Sequence, residues 1–97
     1  MLMSRVRIAP HVVYRTTTTD LKMLFDRDKG VMYELNETAS SIVALLQASP
    51  QRPADLVDAL SSEYAVSRDD ITEDVGQFVA DFLGAGVLEP VEADGGS

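Results

Sequence analysis

The hydrophobic pattern of this chain changes its period at Asn36, and that change constrains the fold more than any other feature. Before Asn36, Leu21, Met23 and Phe25 alternate with Lys22, Leu24 and Asp26, and Val31, Tyr33 and Leu35 alternate with Met32 and Glu34. A period of two marks half-buried strands. His11-Val12-Val13-Tyr14-Arg15, followed by Thr16 to Thr19, is rich in β-branched residues and reads as another strand. Between the two alternating runs lies Asp26-Arg27-Asp28-Lys29-Gly30, where a left-handed Gly30 closes a short hairpin with a bulge. The pattern predicts an antiparallel meander at 12–16, 21–26 and 31–35. A further short strand near Val6–Ile8 is set apart by Pro10.

After Asn36 the spacing is helical. Asn36 is placed to cap a first helix whose stripe is Ala39, Ile42, Val43 and Leu46, widened by Leu45. Ser49 to Pro53 interrupts it. Pro53 suits the first turn of a second helix, where its missing N–H costs nothing, and Asp55 favours the same turn. Its buried stripe is Leu56, Val57, Leu60 and Tyr64. Ser67 with Asp70 three residues on is a variant capping box for a third helix. There Ile71, Val75, Phe78 and Phe82 recur with Val79 and Leu83 beside them. Gly84 and Gly86 end it, and Val87-Leu88 can fold back onto the core. Residues 90–97 read as a flexible acidic tail, which leaves 1–89 as the domain.

Composition then removes whole classes of function. The chain has 97 residues, enough for one domain, with 45% hydrophobic and 25% charged side chains. It has no cysteine, so disulfides, thiolate catalysis and cysteine-bound metals are excluded together. The opening Met-Leu-Met-Ser-Arg-Val-Arg has no apolar run long enough for a signal peptide, and no stretch approaches a membrane span. A cytoplasmic setting is expected. Residues 1–35 carry six basic against four acidic residues, whereas the remainder carries Arg52 and Arg68 against twelve acids. The helical part therefore repels phosphates. A DNA-reading helix needs Arg, Lys, Asn or Gln towards bases, and the third helix offers Asp69, Asp70, Glu73, Asp74 and Asp81 against Arg68. An acyl carrier would need a serine in an Asp-Ser-Leu motif, which is absent.

No catalytic constellation can be assembled. His11 is the single histidine and has no evident partners. Ser40 and Ser41 read as solvated helix positions. Asp69-Asp70 and Glu73-Asp74 fall where the helix dipole favours acids, and their spacing fails the calcium-loop pattern. There is no glycine-rich phosphate loop. The expectation is a non-enzymatic chain with no cofactor and no metal.

Several short segments then fall in a familiar order: Ala-Pro-His-Val at 9–12, Leu24-Phe25-Asp26, Gly30, Tyr33-Glu34-Leu35-Asn36-Glu37-Thr38-Ala39, Asp74-Val75 and Phe82-Leu83. Together they resemble the PqqD-like peptide chaperones, the recognition elements for ribosomally made, post-translationally modified peptides. The Pro-His-Val opening and the size most resemble the freestanding leader-binding protein of lasso-peptide pathways. The resemblance covers roughly residues 8–90. It implies an α+β, winged helix-turn-helix-like fold, with a three-stranded antiparallel sheet followed by three helices. It also implies a role: binding the leader of a precursor peptide and delivering it to a modifying enzyme or leader peptidase. It implies further that the leader adds antiparallel to the third strand, in a groove walled by the third helix, as in that family.

The residues themselves agree with that implication. The third strand of a meander keeps one unpaired edge, a template for an added strand. The expected peptide-binding residues are Val31, Met32, Tyr33, Glu34 and Leu35 on that strand, with Asp74, Phe78, Asp81 and Phe82 on the helix. Asp74, Phe78, Asp81 and Ala85 share one flank, with the phenylalanines as floor or core and the aspartates as rim. The same edge can pair with itself, which would make a homodimer through the third strand. The alternative reading is a winged-helix regulator or adaptor acting through protein contacts. Neither reading involves nucleic acid or membrane.

Overall fold

The computed structural model describes residues 4–91. The chain runs through β1 (Arg5–Ile8), β2 (Val12–Thr16), β3 (Lys22–Asp26), β4 (Val31–Leu35), α1 (Glu37–Ala48), α2 (Pro53–Glu63), α3 (Arg68–Ala85) and β5 (Leu88–Val91). Strands β2, β3 and β4 form the expected antiparallel meander. In one face Tyr14, Leu24 and Tyr33 stand in a row and pack on the core. In the other, Val13, Phe25 and Met32 stand in a row, beside Arg15, Met23 and Glu34. The core face of β3 is therefore the one carrying fully buried Leu24 and Asp26, while Met23 and Phe25 lie on the outer face.

A buried aspartate in a strand needs partners. Asp26 Oδ1 accepts the N–H groups of Asp28 at 2.9 Å and Lys29 at 3.1 Å, which shapes the turn. The Asp26 carbonyl accepts the N–H of Gly30 at 2.8 Å, and Gly30 has the left-handed φ of 69° that the turn requires. His11 lies with Nε2 3.7 Å from Asp26 and Nδ1 3.8 Å from Asp28, so the lone histidine belongs to this hairpin.

No local pattern pairs β1 with β5, yet the two form a second, two-stranded antiparallel sheet. Val6 stands opposite Pro90 in that ladder. The backbone of Val6 instead exchanges hydrogen bonds with Gln51, at 2.7 and 3.1 Å. In an antiparallel pair, opposed residues alternate between bonded and unbonded. Val6 and Pro90 are thus an unbonded pair, and the missing N–H of Pro90 costs the ladder nothing. Pro90 and Val91, assigned above to the tail, belong to this strand, and the remainder of the tail, 92–97, lies outside the described residues.

The helices start as their capping residues dictate. Asn36 Oδ1 accepts the Ala39 N–H at 2.8 Å. Asp55 accepts the Arg52 N–H at 3.4 Å. Ser67 Oγ accepts from Asp69 and Asp70 at 3.1 and 3.4 Å, so Ser67 caps α3 without the return bond of a full box among the described residues. Gly84 stays inside α3; the helix ends at Gly86, whose φ of 79° is left-handed. Ser41, expected in solvent, is half-buried and shares a 2.6 Å hydrogen bond with the Tyr64 hydroxyl, joining α1 to the end of α2. Ile42, Val43, Leu56, Leu60 and Val75 fill the core between the helices and the sheet.

Candidate functional site

The pairing register decides which backbone groups of β4 are spare. The Arg27 N–H bonds the His11 carbonyl, so odd-numbered residues of β3 turn their backbone groups to β2. Even-numbered ones then face β4 and bond Val31, Tyr33 and Leu35. The N–H and C=O groups of Met32 and Glu34 are left pointing to the free edge. Beside this edge runs a groove of about 510 Å³, bounded on the other side by α3.

The groove has an aromatic floor. The Tyr33 and Phe82 rings meet edge to face with centroids 5.2 Å apart at 81°, and Phe82 meets Phe78 at 4.6 Å and 83°. Such edge-to-face pairs contribute about 0.5–1.5 kcal/mol beyond their burial. Phe78 is 9% exposed, so it is both core and floor. Phe82 is half-buried and gives more of its ring to the groove. Asp74 and Asp81 are exposed along the α3 rim. Gln77 also lines the groove and donates from Nε2 to Asp81 at 3.0 Å.

The far end is held by a latch between hairpin and helix. Lys29 Nζ donates to the Ala85 carbonyl at 2.7 Å, and Ala85 lines the groove. A cation there also complements the negative end of the α3 dipole.

Of the residues expected at the site, the structure gathers Tyr33, Glu34, Leu35, Asp74, Phe78, Asp81 and Phe82 around one groove. Val31 and Met32 are on β4 but do not line it. Met32 turns its side chain, 54% exposed, onto the outer face beside Phe25 and offers only its backbone to the edge. Gln77 is not among the residues expected above, although it stands three residues from Asp74 and four from Asp81 on the named flank. Asn36, Thr38 and Ala39 join it, where the start of α1 closes the groove at the Leu35 end.

Among the described residues no cluster of three or more His, Cys, Asp or Glu side chains is arranged to hold a metal, and no helix is long and apolar enough to cross a membrane.

Comparison with known proteins gives the geometry a context. The family model described as coenzyme PQQ synthesis protein D (PqqD) matches residues 22–88. Two solved structures are similar along nearly the whole chain. One is TbiB1 in complex with the TbiA(beta) leader peptide: 30% identity, 91% of this chain and 99% of that chain covered, TM-score 0.75. The other is lasso peptide synthetase B1 complexed with the leader peptide: 32% identity, 88% and 98% covered, TM-score 0.72. No curated protein matches the sequence.

Proposed function

From the premise that this chain belongs to the PqqD family, we propose that it is a non-catalytic peptide chaperone. It binds the leader of a ribosomally made precursor peptide as an added strand and presents it to a modifying enzyme or leader peptidase. Both similar structures are complexes with leader peptides. The observation that carries the reading here is the bare edge of β4 lying beside an aromatic-floored groove. The acidic surface of α3 and the absence of cysteine accord with a cytoplasmic adaptor that avoids nucleic acid.

Binding works by three contributions of different size. The leader pairs with Met32 and Glu34, each bond contributing about 0.5–1.5 kcal/mol net. Side chains of the leader that face the helix drop onto Tyr33, Phe78 and Phe82, and burying one leucine or aromatic anchor adds about 1.5–3 kcal/mol. Exposed charge pairs to Asp74 and Asp81 add about 0–1 kcal/mol each. Strand pairing thus sets the register and shares the affinity with the apolar anchors, and charge modulates it. Alternate leader residues face away from the helix, on the same side as Met32 and Glu34. They remain accessible to the enzyme that receives the peptide.

The test is calorimetric titration of this protein with leaders of the precursor peptides encoded beside its gene. Saturable one-to-one binding by one of them is expected. If every such leader fails to bind, the reading is wrong.

A further inference from the structure

The groove does not stop at Asp74. Past the Leu35 end of β4 a second hollow of about 380 Å³ opens, sharing Thr38 and Asp74 with the first. Its floor is apolar: Tyr64, Ile71 and Val66, the last 57% exposed. Its rim is Glu37, Asp70, Glu73 and Asp74, and no basic side chain lines it. Arg68, the one basic residue of α3, is instead paired with Asp58 of α2 at 2.5 Å. The basic residues Arg27 and Lys29 lie at the opposite end of the groove, in the hairpin that leads into β4.

An apolar floor under an anionic rim fits a side chain with a long aliphatic stem and a cationic head. We infer that this hollow takes a lysine or arginine of the same peptide that pairs with β4, carried on the amino-terminal side of the paired segment. The inference rests on the proposed strand addition. A strand antiparallel to β4 has its amino-terminal side at Leu35, and continuing it in that direction leads over Thr38 into the hollow. Its carboxyl-terminal side leaves past the basic hairpin, where a second cation gains nothing. The charge asymmetry of the groove thereby adds directional preference to a strand edge that would otherwise accept either orientation.

The experiment uses the full chain and the leader identified by titration. Glu73→Lys reverses charge at a residue that lines the hollow and not the β4 groove. Glu73 is exposed, so the melting temperature should stay unchanged. Binding should weaken about threefold to tenfold at low salt, and the loss should shrink as salt is raised. Changing the amino-side basic residue of the leader to Glu should weaken binding to the wild-type chain and restore it to Glu73→Lys. The same exchange on the carboxyl side should leave the Glu73→Lys effect unaltered. Three results overturn the inference: unchanged affinity of Glu73→Lys, absence of rescue, or rescue from the carboxyl side. If no leader binds at all, strand addition itself has failed and the inference falls with it.

Discussion

The two sheets of this small domain treat their edges in opposite ways. In the β1–β5 pair, the backbone of Val6 on the outer side of β1 is taken by Gln51, and β5 turns the donorless Pro90 outward. Both are ways of blunting an edge against further strands. In the meander, β4 keeps the backbone groups of Met32 and Glu34 unpaired and sets them beside a groove. The contrast argues that openness at β4 is not a by-product of a small sheet. The same chain blunts the edges of its two-stranded sheet and leaves the β4 edge bare where it runs beside an aromatic floor.

The largest way to break this contrast is to remove the floor. Phe78→Ala should weaken leader binding by about tenfold to a hundredfold, in line with losing about 1.5–3 kcal/mol of apolar burial. Because Phe78 is also core, the same change should lower unfolding stability by roughly 3–5 kcal/mol. Urea unfolding must accompany the titration. Phe82→Ala, at a half-buried ring, separates the two effects, since its loss should fall more on binding than on stability.

The next effect comes from the peptide. A proline placed where the leader N–H meets Met32 or Glu34 removes one bond and leaves a partner unpaired, about 1–3 kcal/mol. Proline at the intervening positions should cost much less, so a proline scan should show a period of two. A flat scan, with every position tolerated, means the edge is not used.

A smaller effect tests the blunted edge. Pro90→Val should restore an outward N–H on β5 and raise concentration-dependent association in sedimentation velocity, with little change in melting temperature. The wild-type chain should itself associate weakly through β4, and saturating leader should dissolve that dimer. If leader leaves the association untouched, the dimer uses another surface. The smallest effect is at the rim: Asp81→Asn should change affinity by about 0–1 kcal/mol, and the difference should vanish at high salt.

Much of this was legible in the sequence, because local periodicity reports local structure. The alternating runs, the caps at Asn36 and Ser67, Gly30, and the flank of Asp74, Phe78, Asp81 and Ala85 all depend on neighbours within a few residues. Three features did not. The β1–β5 pairing joins residues eighty or more positions apart, and Pro90, which reads as the end of structure, is an edge residue. The phase of β3 was hidden by Asp26, a charged residue that is buried because it organises the turn. The bond between Ser41 and the Tyr64 hydroxyl joins residues 23 positions apart, so a helix position that reads as solvated is half-buried.

The bond from Lys29 to the Ala85 carbonyl has a consequence for which peptides are admitted. It clasps the hairpin to the end of α3, while the Asn36 cap fastens the other end of β4 to α1. A jaw clasped at the hairpin end holds β4 and α3 at a set spacing there, so a peptide that pairs with β4 would be gauged by the distance between its anchors. One extra residue between two anchors would turn the second onto the opposite face of the strand. Precursor peptides would then be sorted by the spacing of their anchors, with their composition coming second.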